Sequence, residues 1–374
     1  MTLAKPRSGE PTGFSIFPDL SDERTIGEPE KIVWSSINHL CAREVADAIL
    51  FNVYKIRKRS LRLSVAFNLK VYLNQANQFY CAAKSAQPTT APLFYYYSFL
   101  NLAKAVCEMK KPNLHKIAGS YRHGISWRPS ADYLVNMEKE VIRLTTKGMW
   151  HELYEAVVEN PVTISNPTEL KVKDLFAYSA ETSIEYERTF YKATKLIWLN
   201  DINTFVDFPR RSYWIRFSVD RGNLRGLGRP RFLDLITYNS SRYIEVESAE
   251  KDLWAFELEK PKKIPRRQRE GLYRLVEKEI NAMNLFVHMG EEGIEYRIPV
   301  QTQLPFRIPQ ILQLYSLTFW LGSLVRYDPH SVAWLQESKY WILIDGLLNQ
   351  SITWLLELFE WQLYQRQTFL KSVR

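Results

Sequence analysis

The sequence is poor in cysteine and histidine. Its 374 residues include six histidines and three cysteines, Cys41, Cys81 and Cys107. No two cysteines form a Cys-x-x-Cys pair, and a zinc ribbon or a disulfide framework needs such paired, regular spacing. The sequence therefore predicts no metal site and no cofactor, and it favours a protein of the reducing cytoplasm.

Glycine and proline are also scarce, with 14 and 18 residues, which excludes a fibrous or largely disordered chain. No apolar run of signal-peptide length stands near the start, so we do not expect secretion. The most apolar stretch, residues 340–359, contains Asp345, Asn349, Gln350 and Glu357. Because such side chains are costly in hydrocarbon, the stretch predicts a buried helix and no membrane partner.

The chain is basic, with 50 Lys and Arg against 41 Asp and Glu and a net charge of +9. Nucleic acid, a nucleotide or an acidic protein surface are natural partners for such a chain. A net charge of this size also aids solubility by itself. Both interpretations stay open until the positions of the charges are considered.

The hydrophobic period changes twice along the chain. Residues 1–28, with prolines and glycines, predict a flexible arm. Apolar residues recur at helical spacing over 29–160, including helices within 131–159, and again over 306–374. Residues 161–305 carry short β-branched and aromatic runs with polar links. The order predicts an α+β fold, in which a bundle of N- and C-terminal helices accompanies a central, mostly antiparallel β region.

Basic side chains concentrate in this central region. Aromatic residues such as Tyr213, Trp214 and Phe217 stand among them, and a surface of this composition suits single-stranded nucleic acid. The alternative is a solvated loop above a β-sheet. The candidate nucleic-acid-binding residues are Arg210, Arg211, Arg216, Arg221, Arg225, Arg229, Arg231, Lys262, Lys263, Arg266 and Arg267.

A second candidate site is a pocket between helices. The aromatic helix 91–105 carries polar residues on one face, and further polar residues follow at 121–126 and 323–330. If these segments converge, they form an anion- or nucleotide-binding pocket of Asn101, Lys104, Arg122, His123, Ser126 and Arg326. The alternative is structural, with Arg326 and Asp328 capping and tying helices.

The same segments carry a family resemblance. Tyr96-Tyr97-Ser98-Phe99-Leu100-Asn101-Leu102-Ala103-Lys104-Ala105, His123-Gly124-Ile125-Ser126 and Leu321-Gly322-Ser323-Leu324-Val325-Arg326-Tyr327-Asp328-Pro329 resemble the bacterial YaaC-like family. The helical part is similar to HEPN-type bundles, many of which act on RNA or bind nucleotides. Related chains occur in bacterial anti-phage systems. The resemblance therefore implies a helical bundle with a nucleotide- or RNA-related role.

Nuclease signatures do not fit. HEPN-type ribonucleases place an Arg and a His on one helix with four to six residues between them. Here Arg326 and His330 leave three, and Arg143 and His151 leave seven. Glu245 and Glu247 on a strand could hold a divalent metal, but the spacing of a metal-dependent nuclease is missing. We interpret these acids as partners of neighbouring arginines.

The leading prediction is a non-enzymatic component of a bacterial assembly, including anti-phage defence, that binds nucleic acid or a protein partner, with homo-oligomerisation also open. The alternative is a nucleotide-sensing or HEPN-like ribonuclease protein with a pocket between its helices. A cavity lined by the pocket residues favours the alternative. A continuous basic stripe without a cavity favours the leading prediction.

Overall fold

The structure is a computed structural model. It describes residues 4–11, 29–128, 134–224, 226–237, 242–248, 250–264, 275, 279, 281–290, 293–301, 304 and 306–365.

The chain divides into two compact units. Met1–Asp22 and Lys195–Gln310 form a β-rich unit, and Glu23–Thr194 and Ile311–Arg374 form a helical unit. Helices from both ends of the chain thus share one unit, whereas the middle of the chain supplies an antiparallel sheet. The predicted α+β class and its arrangement of helices and strands are confirmed.

Most α-helices of the described residues lie in the helical unit, and the helix Arg229–Ile236 lies in the β-rich unit. The helices are α1 Pro29–His39, α2 Arg43–Asn52, α3 Arg59–Ser85, α4 Ala91–Lys110, α5 Met149–Val157, α6 Val172–Ala177, α7 Ser183–Phe190, α8 Arg229–Ile236, α9 Gln310–Tyr327, α10 Pro329–Glu337, α11 Trp341–Gly346 and α12 Ile352–Tyr364. A π-helical turn, Leu347–Ser351, joins α11 to α12.

Strands form two sheets. They are β1 Glu10–Pro11, β2 Ile125–Ser126, β3 Val141–Leu144, β4 Thr168–Lys171, β5 Leu196–Asp207, β6 Ser212–Asp220, β7 Tyr243–Val246, β8 Leu253–Leu258, β9 Lys262–Lys263, β10 Phe286–Gly290 and β11 Gly293–Pro299. The larger sheet has the order β10-β11-β5-β6-β8-β7, with β1 on β5 and β9 on β6. The smaller sheet, β2-β3-β4, lies in the helical unit.

The C-terminal helices pack on the N-terminal ones. Phe359 of α12 stacks on Phe99 of α4 with ring centroids 5.8 Å apart. The Tyr364 hydroxyl donates a hydrogen bond to the Ser36 carbonyl oxygen at 2.6 Å. These contacts join segments more than 250 residues apart, so one hydrophobic core covers both ends of the chain.

Residues 141–144 form a strand where the helical interpretation was wrong. The side chains of Ile142 and Leu144 are buried, while Val141 and Arg143 are more exposed. This alternation has period two, which is the period of a strand with one buried face. A helix follows at α5. Four residues are too few for hydrophobic spacing to separate the two possibilities.

The β-rich unit begins later than the change of period suggests. The segment from 161 to 194 holds β4, α6 and α7, which belong to the helical unit. A helix, α8, also follows Gly228, within the region that the sequence predicts as mostly antiparallel β. Pro230 stands in the first turn of α8, a position at which proline has no helical hydrogen bond to lose.

The described residues of the N-terminal arm lie on the sheet. Ala4 forms a parallel bridge with Val246, and Glu10–Pro11 pairs antiparallel with β5. Between them, Gly9 lies so close to Trp214 that a Cβ at residue 9 would come within 2.4 Å of the indole. Residues 4–11 are therefore held by the β-rich unit.

One stretch of the described residues, Trp341–Tyr364, is long and apolar enough to cross a membrane, and 67% of its most apolar window is buried in the protein. The absence of a membrane partner stays a prediction.

Candidate functional site: an aromatic cleft with basic side chains

Helices α4 and α9 cross closely at Gly322. A Cβ at this position would lie 3.1 Å from the Tyr96 Cβ and 3.4 Å from the Pro92 carbonyl oxygen. A larger residue would push the helices apart, because such distances are tighter than ordinary van der Waals contact. The crossing brings Tyr96 and Tyr97 of α4 next to the C-terminal turn of α9, which carries Arg326.

A cleft of about 450 Å³ opens beside this crossing. Its walls are mostly aromatic and apolar, with one arginine, one histidine and two serines. The lining residues are Leu93, Tyr96, Tyr97, His123, Ile125, Ser126, Trp127, Phe319, Gly322, Ser323, Arg326 and Tyr327.

Arg326 supplies the positive charge of the cleft. Its side chain is exposed, and Nη1 donates a hydrogen bond to the Tyr97 hydroxyl at 3.0 Å. Its guanidinium carbon lies 5.0 Å from the centre of the Tyr327 ring. Among the described residues it has no carboxylate partner. The guanidinium is therefore held by aromatic neighbours and keeps its capacity to bind an anion.

His123 forms one side of the cleft. Its Nδ1 shares a hydrogen bond with the Tyr96 hydroxyl, so the ring is fixed in orientation. Burial lowers the pKa of His123 below its ordinary value of 6.5, and the nearby charges of Arg326 and Lys104 lower it further. The imidazole is consequently neutral near pH 7 and can exchange hydrogen bonds with a ligand.

The Trp127 side chain is held by a hydrogen bond to a buried carboxylate. Its indole nitrogen donates to Oε2 of the buried Glu140 at 2.7 Å, and Trp320 donates to the same oxygen at 3.2 Å. Burial raises the pKa of Glu140, while the hydrogen bonds from the two tryptophans act in the opposite direction. This arrangement holds the Trp127 ring in one position at the cleft wall.

A second hollow, of about 810 Å³, adjoins the cleft. It shares His123 and Ile125 with the cleft, and its remaining lining is small, polar and basic. The lining residues are Ala118, Gly119, Arg122, His123, Gly124, Ile125, Thr145, Thr146 and Lys147.

The six predicted pocket residues do not all line one space. His123, Ser126 and Arg326 line the cleft, and Arg122 and His123 line the second hollow. Asn101 and Lys104 line neither.

Those two side chains belong to a neighbouring polar cluster. The Lys104 ammonium lies 3.5 Å from the Asn101 side-chain oxygen and 5.5 Å from the centre of the Tyr121 ring. Burial lowers the pKa of Lys104. The charge of Lys104 is one of the causes that lower the pKa of His123, after burial and Arg326.

Asp328 has the capping role that the structural interpretation gave it. Its carboxylate accepts hydrogen bonds from the Ser331 backbone N–H at 3.1 Å and from the Ser331 hydroxyl at 2.6 Å. It thereby caps the N-terminus of α10.

Sequence reasoning missed Trp127, Phe319 and Lys147 as lining residues. Trp127 directly follows the His-Gly-Ile-Ser segment, so its position could have been a signal. Phe319 gave no such signal, because an aromatic residue in an apolar helix is typical of the hydrophobic core. Lys147 gave none either, because the turn that carries it comes near His123 only in the folded chain.

Many central basic residues are paired with carboxylates. Arg216 and Arg7 both bind the buried Glu257. Arg229 pairs with Glu245, as the interpretation of the acids expected. Lys262 likewise pairs with Glu279.

The other central cations are spread over the unit. Arg210, Arg211 and Lys263 lie together at the β5–β6 turn, where the Lys263 ammonium donates to the Arg210 carbonyl oxygen at 3.2 Å. Arg221 lies over the Trp254 ring at 5.8 Å, and Arg231 is an exposed residue of α8. The remaining candidates, Arg225, Arg266 and Arg267, lie outside the described residues.

Among the residues that the structure describes, no group of three or more His, Cys, Asp and Glu is placed to hold a metal ion.

The fold and the cleft define an α+β protein whose helical unit presents an arginine and a histidine among aromatic rings. The family model described as YaaC-like Protein matches residues 42–363, and the chain belongs to this family. Searches among curated proteins and among solved structures give no match. Membership of this family does not assign an activity to the chain. The likeness to HEPN-type bundles stays a prediction.

Proposed function

We propose that the helical unit binds a nucleotide in the aromatic cleft. The observation that carries this proposal is a cleft with aromatic walls, one exposed tyrosine, Tyr327, and an arginine that has no carboxylate partner among the described residues. Aromatic faces stack on bases, and guanidinium groups bind phosphate. A volume of 450 Å³ lies within the range of about 300–1,000 Å³ that is usual for small-molecule sites.

Each part of a nucleotide has a matching part of the cleft. Tyr327 is 59% exposed, so much of its side chain is accessible for stacking. Arg326 beside it suits the phosphate. Ser126 and Ser323 offer hydroxyl groups for the sugar or the base edge.

The test compares adenosine monophosphate (AMP), adenosine and ribose 5-phosphate by isothermal titration calorimetry. AMP should bind more tightly than either of its parts. Arg326→Ala should weaken AMP binding by about 10- to 100-fold, because a hydrogen bond to a charged group contributes about 1.5–3 kcal/mol. Adenosine binding should not change. Tyr327→Ala should weaken both AMP and adenosine, since it removes the stacking surface.

Arg143→Ala is the matched control. Arg143 is an exposed arginine of the same unit, paired with the exposed Glu169 at 2.6 Å, and it lines neither hollow. Its removal should leave binding unchanged. Absence of AMP binding, or equal losses in the Arg326 and Arg143 variants, would contradict the proposal.

A second candidate function, nucleic-acid binding, is favoured by the basic group at the β5–β6 turn. Arg210 has Asp207 as a carboxylate partner at 3.7 Å, but 83% of its side chain stays accessible, and Phe208 beside it is 59% exposed. An aromatic ring among cations is what a single strand needs. The group is smaller than the stripe that the sequence predicts, because Arg216, Arg229 and Lys262 are occupied by carboxylates.

Binding to a fluorescent single-stranded RNA should be measured by anisotropy over a series of salt concentrations. The double variant Arg210→Ala, Lys263→Ala should reduce the salt slope by about 1.4, since each phosphate contact on a single strand contributes about 0.7. Arg242→Ala, an exposed arginine of the same unit, should leave the slope unchanged. Identical slopes in all three proteins would exclude this surface. Roles in a bacterial assembly or in antiviral defence stay predictions.

A further inference from the structure

The second hollow begins where the cleft ends. His123 and Ile125 line both spaces. Beyond them, the character of the lining changes from aromatic rings to threonines, glycines and the basic side chains of Arg122 and Lys147. A ligand that continues past His123 therefore leaves a surface suited to a flat ring and enters one suited to anionic oxygens.

The two cations of the hollow are available for a ligand. Arg122 and Lys147 are both exposed, and neither has a carboxylate partner among the described residues. The backbone of Arg122 is fixed, because its N–H donates to the Gly119 carbonyl oxygen at 3.2 Å and its carbonyl oxygen accepts from the Met149 N–H at 2.7 Å. The side chain thus extends from a rigid anchor.

Gly119 opens the backbone of this hollow. Its φ angle is +88°. No atom lies within 4 Å of the place where a Cβ on Gly119 would stand. Glycine at such positions lets an anion approach the peptide groups closely. Beyond His123, the lining of the hollow has no aromatic side chain on which a second base could stack.

We infer that the ligand is a nucleoside polyphosphate that spans both spaces. Its base lies among the aromatic rings of the cleft, and its phosphate chain passes His123. The terminal phosphates bind Arg122 and Lys147. This inference rests on the proposed nucleotide-binding function of the cleft.

The test titrates AMP, ADP and ATP into the full chain by calorimetry at one salt concentration. Affinity should rise with each phosphate. Lys147→Ala and Arg122→Ala should each weaken ATP binding by about tenfold or more, the effect of losing one charge-assisted hydrogen bond. Both should leave AMP binding unchanged, because AMP does not reach the second hollow. Arg143→Ala is again the control and should alter neither ligand.

The outcomes separate the inference from the function on which it rests. Equal affinities for AMP and ATP, or equal losses of both ligands in the Lys147 variant, would overturn the polyphosphate inference and leave the nucleotide cleft standing. Failure of all three nucleotides to bind the parent protein would overturn both.

Discussion

Replacing Glu257 with glutamine should lower the free energy of unfolding of the β-rich unit by about 3 kcal/mol, because breaking a buried ion pair costs about 3–5 kcal/mol and the amide keeps one acceptor oxygen. Glu257 is 1% exposed. Oε1 accepts from the Arg7 guanidinium at 2.5 Å. Oε2 accepts from Arg216 Nη2 at 2.6 Å and Nε at 2.9 Å. The variant leaves two guanidinium groups without their shared counter-charge.

The same change should release residues 4–11 from the sheet. Arg7 also donates to the Leu258 carbonyl oxygen at 2.7 Å, and its own carbonyl oxygen accepts from Arg216 at 2.6 Å. Glu257 therefore stands at the centre of the contacts that hold this segment. Hydrogen exchange of the 4–11 segment should accelerate more than exchange of the sheet.

Glu259→Gln provides the matched control. Glu259 is 33% exposed, and its oxygen lies 3.9 Å from the exposed Arg242. An exposed pair of this kind contributes about 0–1 kcal/mol. Chemical denaturation with hydrogen exchange on both variants measures the difference. Equal effects of the two substitutions would show that the Glu257 pair does not hold the segment.

The sequence predicts the helices of the bundle well, because their cores repeat at helical spacing. In α3, the buried positions Val65, Leu69, Leu73, Ala76 and Tyr80 follow one face. Long amphipathic segments carry enough repeats to exclude a strand. For the same reason the return of helical spacing over residues 306–374 correctly places the C-terminal helices.

Short elements and distant pairs are not predictable in this way. The four residues of β3 are compatible with both the helical and the strand period of hydrophobic residues. Their pairing with β4 makes them a strand. From the sequence alone, Arg216 cannot be distinguished from a cation without a partner. In the fold it pairs with Glu257, which is 41 residues away, and Arg7, which is 250 residues from Glu257, pairs with the same carboxylate. Charge counting finds cations and cannot find which of them are neutralised.

The candidate cleft was partly predictable. Arg326 stood out as a charged residue in an apolar helix, and His123 and Ser126 stood out in the polar segment that follows the aromatic helix. Asn101 and Lys104 do not reach the cleft, because Asn101 donates a hydrogen bond to the Tyr97 backbone carbonyl oxygen and the Lys104 ammonium lies over the Tyr72 and Tyr121 rings. Spacing on a helix selects the face and does not tell which neighbouring helix covers it.

Replacing Gly148 with alanine should destabilise the helical unit and abolish the cleft. Gly148 has a φ angle of +125°, outside the range of L side chains. A Cβ would lie 2.5 Å from the Gly124 nitrogen, 2.6 Å from its Cα and 2.7 Å from the Arg122 carbonyl oxygen. Backbone atoms cannot move aside as flexible side chains do, so the cost combines backbone strain with overpacking.

Neighbouring hydrogen bonds prevent this contact from relaxing. Met149 N–H donates to the Arg122 carbonyl oxygen at 2.7 Å, and Trp150 N–H donates to that of His123 at 3.1 Å. On the other side, Thr145 N–H donates to the Gly124 carbonyl oxygen at 3.1 Å. An alanine at 148 must break these bonds or accept the clash. Either route displaces His123, which lines both hollows.

We expect a loss of about 2–6 kcal/mol in the free energy of unfolding, the sum of about 1–3 kcal/mol for strain and about 1–3 kcal/mol for overpacking. Gly119→Ala is the control, because its φ angle is +88° but no atom lies within 4 Å of the added methyl group. It should lose about 1 kcal/mol, from strain without a clash. Thermal and urea denaturation of both variants, with AMP titration of the folded fraction, measures stability and site together. Comparable losses in the two variants would show that the close approach of Gly148 to Gly124 does not shape the site, since backbone angle would then account for the whole effect.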